Sequence, residues 1–251
     1  MKRILFHFIF LFTFSAVFSQ VQINEKLVYA ASYNMSGLMT QLAQVTLETN
    51  PVRTSKRTFL HLALEAETYS KWDYFFKIRD LYESYVDPVT LRPSLYKRNI
   101  FEGGYTKAEK YIFSSDRKSV SGTTRKRNQT EKKIAFKTGT NSQDIVSLIY
   151  KLRTVDFKTL KKGQIISYVV VFDQKDFPVS VKFMGKENVS NGALGLKECY
   201  KVSIAAKTNV LRGADKNLIW ITADSKKIPV LIKFSIPVGT GQLTLTSATK
   251  M

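Results

Sequence analysis

From Gln20 onward apolar residues recur at every second position over most of the chain, the period of a half-buried β-strand. Between 57 and 68, for example, Leu60, Leu62, Leu64 and Ala66 point one way, and Phe59, His61, Ala63, Glu65 and Glu67 the other. Only the first set suits a core. The same alternation predicts strands at 26–34, 40–49, 78–86, 94–101 and 105–113, with Asn50-Pro51 as the turn after the second. Residues 69–76 are dense in aromatics and read as a short helix or an irregular crossing. Glu102-Gly103-Gly104 is a compact hairpin turn. The basic stretch 116–133 predicts two short edge strands around Ser121-Gly122. Further strands follow at 163–172, 177–186, 196–207, 217–223, 228–236 and 241–247. Their turns are Gln174-Lys175-Asp176, Gly192-Ala193-Leu194-Gly195, residues 212–216, Asp224-Ser225-Lys226-Lys227 and Gly239-Thr240-Gly241.

One segment leaves the strand period. Asn141 or Ser142 can cap a helix with Asp144 in its first turn, and Ile145, Val146, Leu148, Ile149 and Leu152 fall on one face at helical spacing. Lys151 and Arg153 close it, where positive charge complements the helix dipole. About three turns packed against a sheet are expected. The resulting fold class is mainly all-β: about a dozen strands in an antiparallel meander curled into a barrel or half-barrel, with one short amphipathic helix near 142–153.

The amino-terminal segment has a different grammar. Lys2 and Arg3 precede an apolar run over 4–18, and Val17-Phe18-Ser19 fits a cleavage site. This is the pattern of a secretory signal peptide over 1–19. The run falls short of the roughly 20 apolar residues of a membrane span, and no later segment approaches that length. The expected product is one soluble β-rich domain over 20–251 in the periplasm or outer envelope of a Gram-negative bacterium. No Cys near the cleavage site marks a lipid anchor.

Composition narrows the chemistry. The formal charge is +19, from 39 basic and 20 acidic residues, which steers anionic partners towards the protein. The single Cys199 precludes an intramolecular disulfide and reads as a buried, inert thiol. After the leader His61 is the only histidine, so neither a transition-metal site nor a His-dependent nucleophile is assembled, and no cofactor is expected. No phosphate-cradling glycine loop is present. A carboxylate pair for glycan hydrolysis could be drawn from Asp73, Asp80, Glu83, Asp87, Asp173, Asp176 and Asp224, although most sit where strands turn. The stretch 116–133 interleaves few aromatics, so a nucleic-acid groove is not expected. Its Arg125, Lys126 and Arg127 form either a protected edge or a contact for a polyanion.

Four strings together resemble a known family: Glu25-Lys26-Leu27-Val28-Tyr29, Asp87-Pro88-Val89-Thr90-Leu91-Arg92-Pro93-Ser94, the run from Asp144 to Arg153, and the run from Trp220 to Val230. Their order and spacing are similar to the exported bacterial domain of unknown function numbered 3108, over nearly all of the chain after the leader. The family's usual glycine before the first Glu is Asn24 here. The resemblance implies an antiparallel β structure of the cell envelope, shaped like a capsule-associated envelope lipoprotein, and no established activity. Arg153 and Asp224, polar in otherwise apolar strings, are the residues expected to line a site, together with Arg125, Lys126 and Arg127. The expected function is a non-catalytic envelope protein that binds or shields a lipid or an anionic polysaccharide. The alternatives are a scaffold for an envelope protein partner and, less favoured, a glycan hydrolase.

Overall fold

The structure, a computed structural model, describes residues 21–35, 37–206, 216–236 and 239–250. The expected signal peptide and most of the turn over 212–216 lie outside these. Among the described residues, fifteen strands form one sheet. They are β1 Glu25–Met35, β2 Leu38–Arg53, β3 Thr58–Thr68, β4 Arg79–Val86, β5 Pro93–Glu102, β6 Tyr105–Phe113, β7 Ser119–Lys126 and β8 Lys132–Lys137. After these come β9 Ser142–Gln143, helix α1 Ile145–Leu152, β10 Ile165–Phe172, β11 Lys175–Asn191, β12 Gly195–Ala206, β13 Leu218–Thr222, β14 Pro229–Ile236 and β15 Gly239–Lys250. The order is β8 through β1, then β15 back down to β9, with every pair antiparallel except β9 and β10. β1 pairs with β15 and joins the two meanders.

The sheet is open, with β8 and β9 at its edges, and it curls strongly. Arg98 of β5 and Lys107 of β6 reach Asp173 in the turn after β10, although nine strands separate β5 from β10 in sheet order. Thr138 Oγ1 and the Gly139 amide likewise bond Asp176 on β11, at 2.7 and 2.8 Å. A flat sheet could make neither contact. The sheet is therefore the half-barrel of the two forms expected, a barrel or a half-barrel, and Leu60 and Leu62 do lie in its core.

Two apolar clusters fill it. One gathers Leu27, Leu47, Leu62, Tyr96, Tyr111 and Trp220; the other gathers Phe157, Val181, Phe183, Tyr200 and Ile221. The helix is the wedge between them, sending Val146 and Tyr150 into the first and Leu148 and Leu152 into the second. It is therefore buried on more than one face, which a single apolar stripe does not anticipate.

Several boundaries differ from expectation for identifiable reasons. β2 runs straight through Asn50-Pro51, which pair with His61 and Leu60. β1 covers β2 only as far as Glu48, with one further backbone bond from the Asn24 amide to the Thr49 carbonyl, and a proline is tolerated past that point. Ser121-Gly122 lies inside β7, opposite Ile112 and Tyr111, and the hairpin turns instead at Asn128, where φ is 57°. Gly122 is required mid-strand because a Cβ there would meet the Lys110 carbonyl oxygen at 1.8 Å. The protected edge is thus β8 with Lys132, Lys133 and Lys137, while Arg125 and Lys126 belong to an internal strand. The β10–β11 turn is Asp173-Gln174, both at positive φ, so β11 begins two residues earlier than expected.

The helix has eight residues and not three full turns. Asp144 is its N-cap: it accepts from the Ser147 amide at 2.8 Å and from Ser84 Oγ at 2.6 Å, while Ser147 Oγ accepts from the Asp144 amide at 2.9 Å. Ser142 and Gln143 are drawn into β9 instead. Replacing Asp144 with alanine is expected to cost about 1–2 kcal/mol in chemical denaturation, with asparagine recovering part of it.

Candidate functional site

Residues 87–92 make a reversal between β4 and β5. Asp87 Oδ1 accepts from the amides of Val89 and Thr90, and Leu91 closes the loop through its amide to the Asp87 carbonyl at 2.9 Å. Leu91 adopts φ 55°, an unusual conformation for a leucine, and holds it because its side chain is fully buried. The anchored leucine leaves the next residue, Arg92, pointing outward.

Arg92 meets the amino-terminal approach to the helix, where its Nη2 donates to Asn141 Oδ1 at 3.2 Å. From the other end of the helix Lys151 Nζ donates to the Thr90 carbonyl at 3.0 Å. These two cations line a groove of about 650 Å³ together with Gln143, Tyr168, Val169 and Pro178, and no carboxylate lines it. Partial burial and the neighbouring Arg92 charge hold the Lys151 ammonium below its ordinary range. Gln143 is buried, yet its side-chain oxygen has no hydrogen-bond partner. Because an amide can be turned over, that position can offer a donor or an acceptor. The groove is chemically a cationic mouth with a polar contact inside and an apolar wall.

The sequence-predicted residues fall elsewhere. Arg153 is fully buried and forms a bidentate pair with Glu25 at 2.5 and 2.9 Å, with further bonds to the Lys226 and Lys227 carbonyls at 3.0 Å each. This ties together three of the four family-like strings. Asp224 braces the turn into which Arg153 donates: its Oδ1 accepts from Thr222 Oγ1 and from the amides of Lys226 and Lys227. Asp224 lines a smaller groove of about 180 Å³ with Glu25 and Lys226, whereas the buried Arg153 does not line it. Arg125, Lys126 and Arg127 are exposed at the far end of the β6–β7 pair, away from Arg92.

The candidate carboxylates are each engaged locally. Asp73 pairs with Arg79, Glu83 with His61 at 2.9 Å, and Asp173 with Arg98 and Lys107. Asp80 is buried, accepts from the Phe101 amide at 3.1 Å, and is pushed up to about 7 by burial and by the Glu102 charge. Glu109 lies 2.6 Å from Arg98 and 3.0 Å from Lys107 without hydrogen-bond alignment to either. Cys199 is buried and its thiol is raised to about 11 by desolvation, which keeps it protonated and unreactive. Sequence reasoning missed Arg92 and Gln143, and took Lys151 only as a dipole partner. The available signal was Arg92 itself, a cation set between Leu91 and Pro93.

The fold and the groove define a class of curled, open-sheet β proteins. The family model described as protein of unknown function (DUF3108) matches residues 28–246, and the chain belongs to that family. A comparison with the curated proteins gives no match. Among solved structures, the chain is similar to a beta-barrel-like protein of the domain of unknown function DUF1849 from Brucella abortus, with TM-score 0.61 and 10% identity over 92% of this chain and 99% of the other. That likeness concerns the fold. A protein provisionally described as a lipoprotein, from Parabacteroides distasonis, aligns over 92% of this chain and 97% of its own at 10% identity and TM-score 0.37.

Proposed function

We propose that the protein is a non-catalytic, exported envelope protein that binds the anionic group of an amphiphilic or polyanionic envelope component, and that the Arg92–Lys151 groove is where it does so. The observation that carries this reading is the pairing of two cations at a groove without a lining carboxylate. Like charges brought together in a folded protein repel, and an anion between them relieves that cost. Tyr168, Val169 and Pro178 supply an apolar wall for the remainder of a lipid or the face of a sugar. Export and the envelope address rest on the leader-like pattern of Lys2, Arg3 and the apolar run after them. A scaffold acting through a free strand edge is less well supported, since the β8 edge carries three lysines.

The test is native mass spectrometry of protein purified from its own envelope, followed by titration with a short-chain phosphatidic acid and with an acidic oligosaccharide. A charge-assisted hydrogen bond is worth about 1.5–3 kcal/mol, so Arg92→Gln with Lys151→Gln should weaken binding at least tenfold without changing the melting temperature. A titration indifferent to both substitutions sinks the groove as the binding site.

A further inference from the structure

Between β3 and β4 the chain does not turn tightly. Ser70–Trp72 forms a 3-10 turn, and the residues after it are Asp73, Tyr74, Phe75, Phe76 and Lys77. Aromatic side chains are ordinarily buried, yet Tyr74 is 92% exposed, Phe75 74% and Phe76 52%. The segment is nonetheless well held. The Trp72 indole donates to the Gln41 carbonyl at 2.9 Å, the Asp73 carboxylate clamps Arg79, and the Phe76 ring lies against Gly103 where any Cβ would collide. A built segment thus presents three aromatics to solvent.

The neighbouring hairpins continue the surface. Leu38 and Met39 at the start of β2 are exposed beside Gln41, and Tyr105 is exposed just past Gly103-Gly104. Arg127 lies next to Gly104, with Lys126 before it on β7. Lys71, Lys77, Arg125, Lys126 and Arg127 are all exposed at this end of the sheet. Of the carboxylates here, Asp73 is neutralised by Arg79, which Glu67 also faces, and Glu67, Glu102 and Glu131 are outnumbered by the cations. This rim lies at the opposite end of β5 from Arg92.

We propose that this rim is a membrane-docking surface, with Tyr74 and Phe75 entering the headgroup region of an anionic phospholipid bilayer while the surrounding Lys and Arg contact lipid phosphates. The combination argues for a bilayer. Aromatic rings ringed by cations suit the boundary between acyl chains and headgroups, whereas a protein-binding patch is depleted in lysine. Charge complementarity points to an anionic leaflet, where each nearby Lys or Arg contributes roughly fivefold to partitioning. The inference is independent of the Arg92–Lys151 groove.

Flotation of the leaderless chain with vesicles of phosphatidylethanolamine and phosphatidylglycerol tests it, with phosphatidylcholine vesicles as the control. The protein should float with the anionic vesicles only. Tyr74→Ser with Phe75→Ser should lower partitioning at least about tenfold, since the apolar area they carry is lost from the interface. Lys126→Gln with Arg127→Gln should lower it by a similar factor, and added salt should weaken it. Because Tyr74 and Phe75 are exposed, the melting temperature should stay unchanged. Absence from the anionic vesicles, or flotation indifferent to the aromatic pair, overturns the proposal. So does a concentration-dependent dimer that the aromatic substitutions dissolve, which would make the rim a contact between copies.

Discussion

Replacing Arg153 with leucine is expected to lower the unfolding free energy by about 3–5 kcal/mol, the largest loss from any single side chain discussed above. The guanidinium is fully buried, and four of its five donors are spent on the Glu25 carboxylate and two backbone carbonyls. Removing it strands the Glu25 carboxylate at 3% exposure without its counter-charge, and leaves the carbonyls of Lys226 and Lys227 without a donor. Glu25→Leu alone should cost a comparable amount for the mirrored reason. The double replacement should cost clearly less than the two single losses added, because no buried charge is then left unpaired. Urea unfolding of the three variants measures this; additive losses would show that the pair is not coupled. The same architecture explains why three distant strings of the chain carry the family likeness: they meet at one ion pair that locks β1, the helix and the β13–β14 turn together.

The second large effect is a pH dependence with an inverted sign for a carboxylate. Asp80 is buried and raised to about 7, first by desolvation and then by the Glu102 charge beside it. From about pH 4 to about pH 7 the folded protein therefore retains a proton that the unfolded chain has released. Stability contributed by this group is fully present below the ordinary Asp range and is lost as pH rises through about 7. Asp144, raised to about 6 by burial, adds to the same slope over the lower part of that window. Asp87, Asp173 and Glu187 are lowered by hydrogen bonds and nearby cations that outweigh burial, and they act oppositely, losing stability on acidification. Maximal stability should accordingly lie on the acidic side of neutrality. Asp80→Asn keeps the acceptor for the Phe101 amide and removes the ionisation, so it should stabilise by about 2–4 kcal/mol near about pH 8 and by little near about pH 4. Thermal unfolding of both proteins across this range decides it, and parallel curves would refute the assignment.

How much of this was legible beforehand depends on the range over which each feature is decided. Alternation is a property of neighbouring residues, so the all-β class, most strands and the core face of β3 could be read from Leu60, Leu62 and their neighbours alone. The helix could be placed for the same reason. Its cap could not be placed exactly, because Ser142 and Gln143 were free to pair with β10 and only the folded sheet offers that partner. Pro51 signalled a turn by local rules, yet it lies in a stretch of β2 that β1 does not cover, a fact of sheet order.

The sequence by itself determined the curled antiparallel meander, the position of its helix and the strongly cationic character, since each follows from residues close together or from a simple count. Only the tertiary structure decided which polar residues serve the core and which face solvent. Arg153 found its carboxylate 128 positions away and became internal, while Arg92 and Lys151 met across a groove. Aromatic density at 69–76 ordinarily means burial, but there the sheet ends and, among the described residues, none covers Tyr74 and Phe75. Such outcomes depend on the path of the curling sheet, and the energy that selects them comes from contacts between segments that no local pattern brings together.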